Sequence, residues 1–421
     1  MPPAALPPET RHWKELDGVR GLAALLVLYA HLFLMWIPAG PKLVFWARTL
    51  SGQAWTGVYL FFLLSGFLIG GILLRNRAAE NYYSVFYTRR AFRIFPLYFL
   101  LLGSFFAVRA IFGYLHSPEF AAGPVPFWSY FVLVQNFPMA VTGQWGAPPL
   151  GVTWSVALEE QFYLFLPLWI RLIPPRWHAA SFLFLAALGP IFRAVSSWAH
   201  PPFLALGSSE ALFLGVFVAW LQINRPALLS SLAWRTVATI VLGMSGAGML
   251  AISARHSLGP LDVTVVTLFW GAFLSLVVGA MGSQGTAWLR NGFLCWLGRI
   301  SYGVYLFHPL VLTVVFLLAT GSAPDHALGL KGFALSALTF GLTLGLASAT
   351  FYGFERALIA RGRKSKYRTD RKMASPSVME VIGAPANPVS KAEDVPVVSR
   401  GSVEGTTSPL ESSAHRRSRV D

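Results

Sequence analysis

Arg20, His31, Arg89, Arg90, Arg93, Glu159, Glu160 and His308 lie within or beside long apolar stretches of this sequence. An ionisable side chain inside a membrane-length segment is costly and usually faces a cavity, so each is a functional candidate. Their types suggest complementary work. Neutral imidazole abstracts a proton near pH 7, and a carboxylate can fix its tautomer or stabilise the imidazolium that forms. Guanidinium groups bind phosphate bidentately and keep their charge. At about 1.5 Å of rise per helical residue, His31 lies about 16 Å beyond Arg20. Counted from the outer ends of their segments, His31 and Glu159 lie about 9 and 12 Å deep, so base and carboxylate share a level. His308, midway along its own segment, can join them. Arg89, Arg90 and Arg93 gather with Arg20 toward the cytoplasmic side. The picture is a pore with a basic mouth and a His–carboxylate pair deeper in. It fits a phosphate-headed donor with a long reactive arm, and coenzyme A thioesters are such molecules.

The elements that must position these groups are membrane helices. Only 12% of the 421 residues are charged and 55% are hydrophobic. A soluble domain carries about 25% charged residues, so the solvent here is largely lipid. Ten stretches are about long enough to span, near 18–37, 55–74, 91–112, 151–173, 179–198, 203–222, 235–254, 261–281, 296–319 and 331–353. The expected fold is all-α, a polytopic transmembrane bundle of about ten spans. The short apolar piece Phe127–Phe137, flanked by prolines, reads as interfacial or re-entrant.

Lys and Arg cluster in alternate turns, at Arg75, Arg77, Arg89, Arg90, Arg171, Arg176, Arg225, Arg235, Arg290 and Arg356–Arg368, whereas residues 110–170 hold none. That bias places both termini in the cytoplasm of a plasma or inner membrane. The +15 net charge lies in these clusters and in the C-terminal segment, which sets nucleic-acid binding aside in favour of the bilayer as partner. Residues 1–15 are expected as a cytoplasmic N-terminal segment without the design of a cleavable signal. Residues 16–358 form the membrane domain. Residues 359–421, polar and basic, are expected as a disordered tail. A single cysteine, Cys295, excludes an intrachain disulfide and a thiolate metal site, and no metal is expected.

Five ordered blocks resemble the membrane acyltransferase family three. The first runs from Leu16-Asp17-Gly18-Val19-Arg20-Gly21 to His31, with ten residues between Arg20 and His31. The second is Phe62-Leu63-Leu64-Ser65-Gly66, and the third holds Arg90-x-x-Arg93. The fourth, Trp154-Ser155-Val156-Ala157-Leu158-Glu159, precedes a fifth, Ser301-Tyr302 through His308-Pro309. The resemblance covers about residues 14–358. It implies transfer of an acyl group, often acetyl, from cytoplasmic acyl-CoA to a hydroxyl of a sugar, envelope glycan or macrolide-like metabolite. It also implies His31 as base with Arg20 as its motif partner, Arg90 and Arg93 on the CoA phosphates or adenosine, and Glu159 supporting His31. Acyl-CoA, acetyl-CoA in the first instance, is then a substrate; no cofactor is permanently bound. The block Phe354-Glu355-Arg356-Ala357 lacks the proline common in the family. No hydrolase-like domain follows, so a stand-alone transferase is expected.

Blander readings stand beside these. Arg89 and Arg90 also serve as topology charges, and Arg93, Arg193 and Asp262 lie where snorkelling is cheap. His308 before Pro309 reads equally as a core histidine bonded to a freed carbonyl. Glu160 points about 100° away from Glu159 on a helix. Ser155 and Trp154 are candidate oxyanion donors by position only, and Trp154 suits the core as well. Gly66, Gly70 and Gly71 read as close helix contacts. A glycosylated secondary metabolite is the alternative acceptor to a lipid-linked glycan or envelope polysaccharide. A transporter or flippase would also line its path with charges.

Overall fold

A computed structural model describes residues 13–36, 51–113, 123–198, 200–255, 257–322 and 329–368, with residues 49, 120 and 324 besides. Leucine, alanine and phenylalanine runs fold here as helices, because in lipid only a helix or closed barrel satisfies its own backbone. No strand occurs among the described residues. Helices α1 (Lys14–Leu32), α2 (Gly57–Arg75) and α3 (Tyr82–Gly113) come first. Two short helices, α4 (Phe127–Phe131) and α5 (Asn136–Thr142), precede α6 (Thr153–Leu172), α7 (His178–Val195) and α8 (Ser209–Asn224). The brief α9 (Pro226–Ser230) leads into α10 (Leu232–Arg255), α11 (Asp262–Gly279), α12 (Gly292–Thr320), α13 (Gly329–Thr350) and α14 (Arg356–Arg363).

Each of the ten apolar sequence segments has its helix. Seven of these, α2, α3, α7, α10, α11, α12 and α13, are long and apolar enough to cross a membrane. α8 is apolar but shorter, and α1 and α6 carry the charges at issue. About ten spans is therefore an approximate count of an integral membrane, all-helical protein.

Glycines set the closest approaches. A Cβ on Gly21 would collide with the Leu294 carbonyl, and one on Gly298 with the Asp17 carbonyl, so α1 and α12 touch backbone to backbone. Gly66 and Gly215 do the same for α2 and α8. The two ends of the bundle are tied differently. At the near end, where α1 begins, Arg290 pairs with Glu15 at 2.9 Å and Arg77 donates to the carbonyls of Ile170 and Arg171. At the far end Trp36 donates to Ser336, and Arg193 on α7 pairs with Glu210 on α8 at 2.7 Å.

Three expectations change. α1 ends at Leu32 rather than near residue 37. Arg193 does not snorkel; it is buried, donating to Glu210, Thr264 and the carbonyls of Gly207 and Pro260. The C-terminal boundary moves, because a π-helical turn, Phe351–Glu355, runs on into α14 and then a strap through residue 368. That strap lies across the start of α3, with Asn81 bonded to the backbone of Lys366 and Arg368. The remainder of the expected tail, 369–421, and residues 1–12 fall outside the described residues. Phe127–Phe137, expected as interfacial or re-entrant, folds as two short helices, α4 and the start of α5, joined through Leu133 at φ +58°. Buried Gln135 and Asn136 pin this segment to the backbone of Thr153 and Phe203.

Candidate active site

Arg20 and His31 are eleven residues apart, about three turns at 3.6 residues per turn, so one face of α1 carries both, about 16 Å apart. They open onto different chambers. Arg20 lines a chamber of about 100 Å³ bounded by α1, α2, α3, α6 and α12. α3 adds Arg90 and Arg93, one turn apart, and α6 adds Ser155, Glu159 and Tyr163 at every fourth position, hence on one face. α12 closes the wall with Ser301, Tyr302 and Tyr305.

Within this chamber Glu159 is fully engaged. Ser65 Oγ donates to Oε1 at 2.8 Å and Tyr163 OH to Oε2 at 3.0 Å. Arg93 and Arg20 are the cations that act on it. Three guanidinium groups thus line the chamber that holds this carboxylate. Arg90 Nε is buried without a hydrogen-bond partner, and neither Arg90 nor Arg93 forms an ion pair among the described residues. A buried donor left open costs about 1–3 kcal/mol, an arrangement that suits an anionic ligand. Glu160 lies outside this lining, as its helical angle requires, and Arg90 is the cation acting on it.

Arg89 does not reach the chamber. Its Nε and Nη2 donate to the Ser365 carbonyl at 2.9 and 2.7 Å, and its guanidinium lies 5.0 Å over the Tyr367 ring. The expected trio of Arg89, Arg90 and Arg93 is therefore split: Arg89 fastens the C-terminal strap.

His31 lines a second chamber, of about 420 Å³, together with Val27, Trp55, Trp145, Trp154 and Tyr305. Its ring is accessible there. Nδ1 is 2.8 Å from the Val27 carbonyl. A carbonyl only accepts, so Nδ1 holds the proton and Nε2 is left as the base. The tautomer is fixed by α1 itself and not by a carboxylate. Glu159 lines the other chamber, and no hydrogen bond joins it to His31. Gly57 packs on Ala23 and Val27, whereas Ser65 lies eight residues, about 12 Å, closer to the near end. Glu159 thus stands at the level of Arg20. The shared depth expected for His31 and Glu159 is corrected, and the reason is the early end of α1.

The neighbour of His31 is His308. Their ring centroids are 4.9 Å apart, His308 is 0% exposed, and its Nδ1 lies 3.1 Å from the Val304 carbonyl. Trp154 stacks on Phe203 at 4.6 Å and faces the His31 chamber. Ser155 Oγ is 2.6 Å from Tyr305 OH, and both hydroxyls reach the Val152 carbonyl. The two chambers meet at Val58 and Tyr305, which line both. A third cavity, of about 460 Å³, adjoins the His31 chamber through Trp55, Val58, Trp145 and Trp154.

Sequence reasoning missed Ser65 and Tyr163 as partners of Glu159, although Tyr163 sits four residues on, one helical turn away. It missed Trp55 and Trp145, which no spacing rule marks. Glu210, an acid in an apolar stretch, was the legible counterion for Arg193. Among the described residues no cluster of His, Cys, Asp or Glu could hold a metal ion.

Nodulation protein 10 of Rhizobium leguminosarum bv. viciae is 28% identical over 329 residues, 72% of this chain and 83% of that protein. Peptidoglycan O-acetyltransferase OatA of Listeria monocytogenes is 25% identical over 332 residues, 71% of this chain. The chain spans 49% of OatA's length. No solved structure matches. The model of an acyltransferase domain, acyltransferase family 3, matches residues 13–352, a stretch that takes in both chambers and every helix from α1 to α13. A membrane bundle with that motif order and that match belongs to acyltransferase family 3.

Proposed function

We propose that this acyltransferase is an O-acyltransferase that takes an acyl group, acetyl in the first instance, from cytoplasmic acyl-CoA and passes it to a hydroxyl of a sugar-containing acceptor, an envelope polysaccharide or lipid-linked glycan. The observation that carries the reading is the pair of chambers meeting at Val58 and Tyr305, one lined by Arg20, Arg90 and Arg93, the other by His31 and three tryptophans. Arginine forks suit the phosphates of CoA. The same-face spacing of Arg20 and His31 acts as a ruler of about 16 Å, over which the long arm of the donor carries its thioester to the base. Trp55 and Trp145 are 39% and 51% exposed, so their faces are open to an acceptor ring with an apolar side.

His31 Nε2 removes the acceptor proton and the alkoxide attacks the thioester carbonyl. The Ser155–Tyr305 hydroxyl pair is the candidate oxyanion donor: at rest one proton bridges the two oxygens and the other goes to the Val152 carbonyl, and one of them turns to the oxyanion as it forms. Glu159 holds the arginine chamber in register instead of supporting His31. OatA, a peptidoglycan O-acetyltransferase, is a relative whose acceptor is a glycan, in agreement with this reading.

The test is thiol release from acetyl-CoA by the full chain in nanodiscs, with and without a sugar acceptor. His31→Ala is expected to lower kcat by about 10²–10⁴-fold. Arg90→Ala and Arg93→Ala are expected to act mainly on the donor KM. Movement of solute without thioester cleavage would favour a transporter and sink the proposal.

A further inference from the structure

We propose that His308 is a positioning residue that holds the proton His31 removes from the acceptor, so that the base of this site is a pair of imidazoles. The inference rests on the transferase reading above and adds a residue to it. Both rings are fixed alike: Nδ1 of His31 lies 2.8 Å from the Val27 carbonyl, and Nδ1 of His308 lies 3.1 Å from that of Val304. Each carbonyl is four residues back on the ring's own helix. Since a carbonyl only accepts, both rings rest with the proton on Nδ1 and a lone pair on Nε2.

The rings meet edge to face at 60° with centroids 4.9 Å apart. Two lone pairs cannot hydrogen-bond, and no hydrogen bond joins the rings. His308 is 0% exposed, and its Nε2 has no hydrogen-bond partner. Such an orphaned acceptor is unfavourable, a cost that an apolar side chain in its place would avoid. The cost has a use at one moment. When His31 Nε2 takes a proton, the new N–H becomes a donor and the ring a cation. The His308 lone pair is then the acceptor beside it. A contact absent from the resting state and made as charge develops lowers the barrier without tightening substrate binding.

The step balances. The acceptor O–H bond breaks and its proton goes to His31 Nε2. The oxygen bonds to the thioester carbonyl carbon, the C–S bond breaks, and the electron pair leaves on sulfur. The proton held between the imidazoles passes to the thiolate, leaving an ester, a thiol and two neutral rings.

The experiment uses the full chain in nanodiscs with acetyl-CoA and a sugar acceptor. His308→Phe keeps the volume and removes the lone pair; His308→Gln returns an acceptor atom that cannot carry the proton. We expect kcat to fall by roughly 10²-fold in His308→Phe and to recover by about tenfold in His308→Gln, with both KM values within about threefold of wild type. A proton inventory in mixed H2O and D2O is expected to be curved for wild type and straight for His308→Gln, a difference that a packing role would not produce. Should His308→Phe fail to fold, the His308→Gln inventory decides alone, and retained curvature overturns the proposal. Activity lost in His31→Ala but intact in His308→Phe sinks this inference only. A wild-type chain that cleaves no thioester with any acceptor sinks the transferase reading and this inference with it.

Discussion

Glu159 shows what a single residue's surroundings decide. Its sequence position suggested support for His31, yet both carboxylate oxygens are taken by Ser65 and Tyr163, and the cations acting on it are Arg93 and Arg20. A group that orders the arginines affects donor binding; a group that orients the base affects turnover. Glu159→Gln is therefore expected to raise the acetyl-CoA KM by about tenfold and to change kcat by less than about threefold, read from full kinetic curves in each substrate. The reverse split would return Glu159 to the side of His31. Arg20 belongs to the same argument. Three turns from His31, it is expected to resemble Arg90 and Arg93 in its kinetics and not His31.

The helices were legible where hydropathy and charge spoke, and illegible where two elements had to be placed against each other. Ten apolar runs mark ten helices, and of the four arginines grouped by depth Arg20, Arg90 and Arg93 share a chamber while Arg89 does not. The end of α1 was not readable, because Ile37 and its neighbours are as apolar as the helix before them. The strap at 364–368 was hidden for the opposite reason. It is polar and resembles a tail, but Arg89 and Asn81 give its backbone partners. Glycines gave the best view of packing. Gly298→Val drives a side chain into the Asp17 carbonyl and should cost about 1–3 kcal/mol, seen as a lower unfolding midpoint in nanodiscs. Gly341, in α13, has open space around it. Gly341→Ala should leave the midpoint unchanged or raise it, since alanine is the better helix former by about 0.5–1 kcal/mol. Equal losses at both positions would mean that α1 and α12 do not touch as described.

Across the whole molecule the chemistry is divided between two ends. The arginine chamber opens from one side of Val58 and Tyr305, and the His31 chamber with its tryptophans from the other. A catalyst for two soluble substrates has no need of that division. It suits a donor and an acceptor that never share a compartment, because only the donor's arm and its acyl group have to enter the neck. Val58 lines all three cavities, so its volume controls that passage. Val58→Trp is expected to reduce acyl transfer by at least about 10²-fold, since a displacement of the reacting atoms by about 1 Å can cost that much. Donor binding should persist, because the arginines lie beyond the neck. The pair of measurements is transfer in proteoliposomes, with acetyl-CoA sealed inside and acceptor outside, and equilibrium binding of acetyl-CoA in nanodiscs. Wild type should deposit acetyl groups on the external acceptor with no donor leaking out. If transfer requires both substrates on one side, or if Val58→Trp loses donor binding along with transfer, the chambers are not two halves of one path.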